Sequence, residues 1–147
     1  MTQPVIIDNS IVIRWFHPSG TVEELTRADK ILDSLESGHL VPLAPFILTM
    51  EFLNVLHSLA RKGELKGNIE SVLIHFEHLS FEIIGAEYNA LLYIQALSEL
   101  CSRYDVSAYD AAYLELAIRL ECPLLTLDKM LKKAAKKAGV NTAPKLN

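Results

Sequence analysis

The chain alternates short apolar runs with longer stretches in which apolar residues recur every three or four positions. Val5-Ile6-Ile7 is a β-branched run that stops at Asp8 and predicts a buried strand. Ile11 to Phe16 predicts a short helix, stopped by Pro18 and Gly20. Thr21 and Glu24 have the T-x-x-E spacing of a capping box, and Leu25, Ala28, Leu32 and Leu35 follow at helical intervals up to Gly38. Leu40 to Leu43 predicts a second strand, with Pro42 acceptable at a strand end or edge. Helical spacing returns from Pro45 to Lys62, where Leu48, Phe52, Val55, Leu56 and Leu59 share a face. It returns again from Asn68 to Leu79, with Ile69, Leu73 and Phe76 inward. Phe81 to Ile84 reads as a third strand, and Glu87 to Arg103 and Ser107 to Leu120 as helices, the second stopped by Pro123. Leu124 to Thr126 reads as a fourth strand and Lys129 to Ala138 as a last helix, with the tail after Val140 adding an edge strand or fraying.

Short apolar strands between amphipathic helices imply a parallel sheet with helices on both faces. The expected fold class is α/β, a three-layer α/β/α sandwich around a central, mostly parallel sheet of four to five strands. There is no repeat, linker or low-complexity tract, so the 147 residues read as a single domain. Half of them are hydrophobic, enough for a sizeable core. The net charge of −4 excludes a general basic coat for nucleic acid, so any such contact must be local or mediated by a cation. Cys101 and Cys122 form no C-x-x-C pair and are expected as two buried apolar thiols in a reducing compartment. Met1-Thr2-Gln3-Pro4 lacks the positive start of a signal peptide, and no run approaches the roughly 18 apolar residues of a membrane span. A soluble, cytoplasmic chain with no membrane partner is expected.

Four acids stand where chemistry could occur, and helix capping explains each one taken singly. Asp8 ends the first strand and could cap the Ile11 helix. Asp110 lies three residues after Ser107 in a capping-box pattern. Asp128 follows the fourth strand and precedes a lysine-rich helix. Glu51 lies in the first turns of its helix, where negative charge is favoured. Their joint placement says more. Ligands bind open α/β sheets at the carboxyl ends of the strands. Asp8 and Asp128 are at such ends, and helix N-termini bring Glu51 and Asp110 toward the same edge. Carboxylates that converge repel one another unless a cation joins them, and Mg²⁺ or Mn²⁺ prefers oxygen ligands. Phosphodiester hydrolysis follows, with the metal activating water and neutralising transition-state charge.

These residues also resemble a known family. Val5-Ile6-Ile7-Asp8-Asn9-Ser10 resembles the opening D-x-S motif of PIN-domain nucleases. Pro45 to Leu56, with Glu51 before Asn54-Val55-Leu56, resembles the second motif. Ser107-Ala108-Tyr109-Asp110-Ala111-Ala112-Tyr113-Leu114 resembles the third, and Leu125-Thr126-Leu127-Asp128 the fourth. The order and spacing cover nearly the whole chain, and the nearest likeness is to the toxin ribonucleases of VapBC-type toxin–antitoxin pairs. The resemblance implies a PIN fold, Mg²⁺- or Mn²⁺-dependent RNA cleavage, homodimerisation and inhibition by a cognate antitoxin. It matches Asp8, Glu51, Asp110 and Asp128 to the family's acidic site, and Ser10 and Thr126 to its hydroxyl positions; Ser107 is a further supporting or phosphate-contacting candidate. Asp8 and Asp110 rank first as metal ligands, Asp128 third, and Glu51 acts through a water or orients the others. Asn9 stands where a small residue is common, with its side chain expected to point away from the site.

Lys129, Lys132, Lys133, Lys136 and Lys137 crowd the last helix as a solvated face or as a phosphate-tracking patch, with Lys129, Lys132 and Lys133 the candidate RNA contacts. His75 and His78 lack further zinc ligands and read as a polar helix face. Trp15 and Phe16 read as core, with partner contact second. A haloacid-dehalogenase phosphatase would need D-x-D, whereas Ser10 holds the second position. A receiver domain would need a different acidic layout, and no G-x-x-x-x-G-K loop is present. The alternative of another class is a PIN-fold binding module without catalysis.

Overall fold

Three adjacent residues of the first apolar run, Val5, Ile6 and Ile7, have no solvent exposure. Successive strand residues face opposite sides of a sheet, so both faces must be covered. The computed structural model, which describes residues 2–146, has that arrangement. In chain order it runs β1 (Gln3–Ile7), α1 (Asn9–Phe16), α2 (Val22–Glu36), β2 (Leu40–Pro45), α3 (Ile47–Arg61), α4 (Ile69–His78), β3 (Glu82–Ile84), α5 (Ala90–Tyr104), α6 (Ala108–Leu120), β4 (Leu124–Leu125) and α7 (Lys129–Lys137). The sheet order is β3-β2-β1-β4, and every pairing is parallel. The strands therefore end at one shared edge.

Helix α6 is the most deeply set of the helices. Ala111 to Ala117 are all buried, and the helix packs on β1, β2 and β4. The small side chains of Ala111, Ala112 and Ala117 allow that close approach. It leads into β4 within a few residues, so its N-terminus lies at the edge where the strands end. Helix α5 packs against α6 from outside and has no fully buried residue. Helices α2 and α3 pack on β2, with α1 between them. Aromatic rings join α1, α3, α4 and the residue before β3. Phe16, Phe52, Phe76 and Phe81 stand in series with centroids 5.4, 4.9 and 5.0 Å apart. Trp15 packs with them and donates its indole N–H to Ala28 O at 2.8 Å.

The structure differs from several sequence expectations. The tail adds no fifth strand among the described residues; instead Asn141 O accepts from Leu124 N–H at 2.9 Å along the outer side of β4. Pro42 lies in an interior strand, opposite Val5. The bond from Gln3 N–H to His39 O sets the alternation, so the N–H that Pro42 lacks would point away from β1. It would point toward a stretch that β3 leaves uncovered, because β3 pairs only from Leu43 onward. Pro45 ends β2 rather than starting α3. In α4 the buried residue is Val72, whereas Leu73 is exposed. His75 and His78 are exposed, as expected. Of the Thr21/Glu24 box, Thr21 accepts from Glu24 N–H, while the Glu24 carboxylate pairs with Arg14.

Helix α5 begins at Ala90, not Glu87, with Asn89 as its cap. The residues before it are tied to a buried ion pair on α6. Glu115 on α6 accepts from Arg119 Nε at 2.7 Å and from the Tyr88 hydroxyl at 2.5 Å, while Arg119 Nη2 donates to Gly85 O at 3.1 Å. The loop after β3 is thereby fastened to α6. The Tyr88 hydroxyl is pushed up to about 12, by burial first and then by the Glu115 carboxylate it serves.

Candidate functional site

Asp8 lies where β1 ends and α1 begins, and its backbone N–H bonds to Leu125 O at 3.1 Å on β4. Its side chain caps α1, accepting from Ser10 N–H at 2.8 Å and also from the Ser10 hydroxyl. The other oxygen accepts from Thr126 Oγ1 at 2.6 Å. Ser10 Oγ in turn accepts from Leu127 N–H at 2.9 Å, and Thr126 Oγ1 from Asp128 N–H at 3.0 Å. The D-x-S turn of β1 and the T-x-D turn of β4 thus form one hydroxyl-bridged unit. Asp8 is only 5% exposed. Burial pushes its carboxyl up to about 6, against the hydrogen bonds of Ser10 and Thr126, which hold it down; the nearby charge of Asp110 pushes it up further.

Asp110 is half-buried in the first turn of α6, where the N-cap Ser107 accepts its N–H at 3.1 Å. Its carboxyl is raised by burial first, then by the charges of Asp128 and Glu51. Asp110 is therefore within electrostatic reach of all three other acids. Asp128 caps α7, accepting from Met130 N–H at 2.8 Å and Leu131 N–H at 3.0 Å. Glu51, in the second turn of α3, accepts from the Tyr113 hydroxyl at 2.6 Å.

The capping roles expected of Asp8 and Asp128 are present, and so is the shared sheet edge. A ready-made metal cage is not: among the described residues no three carboxylate, imidazole or thiol side chains stand close enough to enclose an ion as a group. Like charges repel, so the acids stand apart without a cation to join them, and Asp8, Glu51 and Asp128 are each held in place by their own hydroxyl or N–H donors. The donor set itself is all carboxylate oxygen, which fits a hard divalent cation and no soft one. A bound cation would also offset the repulsion felt at Asp110.

The sequence pattern assigns Tyr113 no role. It is 1% exposed, and its hydroxyl donates to Glu51. Burial, then the Glu51 carboxylate, pushes its hydroxyl far above the ordinary tyrosine range. Its position three residues after Asp110 was the available signal, since i and i+3 share a helix side. The Asn9 side chain is half-buried, with Oδ1 unpartnered among the described residues. Lys129 and Lys133 are exposed beyond Asp128, and Lys132 is partly covered. The Lys132 ammonium is pushed down by burial first, then by Arg27 and Lys136, so the α7 lysines adjoin a basic residue of α2.

A family model described as the PIN domain matches residues 5–137. Among solved structures, a toxin–antitoxin complex from Klebsiella pneumoniae is similar at 21% identity, covering 94% of this chain and 96% of that one with a TM-score of 0.59. FitAcB from Neisseria gonorrhoeae is similar at 18% identity over 98% and 97%, with a TM-score of 0.57. PAE2754 from Pyrobaculum aerophilum is similar at 21% identity over 91% and 87%, with a TM-score of 0.56. No curated protein matches the chain.

Proposed function

This chain belongs to the PIN-domain family, and on that premise we propose that it is a metal-dependent endoribonuclease, the toxin of a VapBC-type toxin–antitoxin pair. The observation that carries this reading is Asp110, a half-buried acid whose ionisation is disfavoured by burial first and then by the charges of Asp128 and Glu51, and which in turn acts on Asp8. Grouped acids with perturbed ionisation are a mark of functional sites. Asp8, Asp110 and Asp128 would hold Mg²⁺ or Mn²⁺, with Glu51 as a fourth ligand or through a water. When bound, the ion supplies an activated water and charge neutralisation at the phosphate.

The chain's own residues have separable tasks. Ser10 and Thr126 hold the Asp8 carboxylate by both oxygens and so orient it. Ser107 presents the α6 N-terminus, whose dipole favours an anion such as a phosphate. Lys129, Lys132 and Lys133 extend from Asp128 along α7 and would follow the RNA backbone. A cognate antitoxin is the proposed protein partner, in keeping with the toxin–antitoxin complex among the similar structures. A homodimer is also proposed, supported by the exposed Leu91, Leu92 and Ile94 of α5. No helix among the described residues is long and apolar enough to cross a membrane, and the proposed compartment is the cytoplasm.

The test is cleavage of a total RNA pool by protein freed of bound inhibitor, with Mn²⁺ or with a chelator, followed by sequencing of the new RNA ends. Cleavage should require metal and fall by about a hundredfold or more in Asp110→Asn, the scale of losing one preorganised charge. Absence of metal-dependent cleavage in every pool would favour the non-catalytic binding module instead.

A further inference from the structure

The Tyr113 hydroxyl lies where three parts of the site meet. It donates to Glu51 Oε1 on α3 at 2.6 Å. The Asn9 backbone N–H, one residue after Asp8 at the start of α1, also acts on this hydroxyl. Tyr113 projects from α6 one turn after Asp110. Its ring is buried with the core, so the hydroxyl has little freedom to turn elsewhere.

We propose that Tyr113 is a positioning residue for the metal site, holding the Glu51 carboxylate in register with Asp110 and Asp8; this rests on the ribonuclease reading above. A glutamate has three side-chain torsions, and freezing them on binding an ion costs conformational entropy. Tyr113 engages one Glu51 oxygen beforehand and so lowers that cost. Glu51 is only half-buried, so packing alone does not fix it. The same bond ties α3 to α6, so the helix that carries Asp110 also sets the place of the acid on its neighbour. Partners of metal ligands act in this way, and losing one typically weakens metal binding tenfold or more.

The experiment is a double-mutant cycle of Tyr113→Phe with Glu51→Gln on the full chain. Mn²⁺ affinity is read directly from the free-ion electron paramagnetic resonance signal, and RNA cleavage is followed against Mn²⁺ concentration. Tyr113→Phe keeps the ring and removes only the oxygen. Its Mn²⁺ affinity should fall about tenfold, with cleavage restored at high Mn²⁺. In the Glu51→Gln background the same change should have no further effect, because the hydroxyl acts only through Glu51. Wild-type Mn²⁺ affinity in Tyr113→Phe, or a full additional loss in the double variant, overturns the proposal. Wild-type protein separates the two levels: absence of metal-dependent cleavage by it would refute the ribonuclease reading itself, whatever Tyr113→Phe does to Mn²⁺ affinity, and full cleavage by Asp110→Asn would refute the assignment of the site.

Discussion

Replacing Asp8 by asparagine should stabilise the metal-free protein at neutral pH while removing a proposed metal ligand. Asparagine caps a helix as well as aspartate does, so the start of α1 is kept. What disappears is a buried charge. The Asp8 carboxyl is raised from 3.8 to about 6, chiefly by burial. A raised acid contributes stability that is fully present below about pH 4 and is lost as pH climbs through about 6. Across those two decades the wild type loses about 3 kcal/mol, at ~1.4 kcal/mol per decade. The amide escapes that loss, but its single oxygen can accept only on the Ser10 side, and the NH2 that replaces the other oxygen leaves the Thr126 hydroxyl proton without its acceptor, which costs ~1–2 kcal/mol. The net gain at pH 7.5 is then ~1–2 kcal/mol, or ~3–6 °C in Tm for a chain of this length. At pH 5 the advantage shrinks by ~1.4 kcal/mol and should vanish. The assay is a set of thermal melts from pH 4.5 to 8 in chelator, for wild type and Asp8→Asn. Added Mn²⁺ should raise the wild-type Tm and leave the variant nearly unmoved. If Asp8→Asn instead melts below wild type by the same margin at pH 5 and pH 7.5, burial is not opposing the Asp8 charge and the reasoning fails.

Two further outcomes are expected. Lys132→Glu combined with Lys133→Glu should weaken RNA binding across sequences and flatten its salt dependence by about one in log–log slope for each phosphate no longer neutralised. Unchanged binding at every salt concentration would leave α7 a merely solvated face. Arg119→Ala should cost ~3 kcal/mol in urea unfolding, since Glu115 is then left buried without its cation, whereas Glu115→Leu with Arg119→Met should recover much of that loss. A double variant no better than the single one would show that the pair is more than a stranded charge.

Much of the fold was legible because it rests on local chemistry. The β-branched run before Asp8 and the Ser107 cap before Asp110 specify a strand end and a helix start within a few residues. The four acids shared one edge for a topological reason: parallel strands all end on the same side. What could not be read depended on partners distant in sequence. Pro42 fits an interior strand only because β3 is short, and β3 follows some forty residues later. Val72 and Leu73 are both apolar, so only the packed phase of α4 decides which one is buried. Glu87 and Tyr88 looked helical because their restraint comes from Glu115 and Arg119, far along the chain. The cage was anticipated from the acids' shared sheet edge and the family resemblance, whereas each acid's hydroxyl or N–H donors set its actual orientation. Tyr113 escaped notice because a tyrosine amid apolar residues looks like core until its oxygen is followed to Glu51.

The two margins of the sheet bear on how this molecule can associate. β3 has three residues, and β4 has two with Asn141 bonded along its outer side. Neither offers the long unpaired ladder that templates strand addition between chains. Apart from Phe46 in the turn before α3, the large apolar side chains that reach solvent, among them Leu91, Leu92 and Ile94, are helical. Self-assembly is thus steered toward helix-to-helix contact, which limits itself to small oligomers when the symmetry closes, and away from the open-ended growth of fibrils.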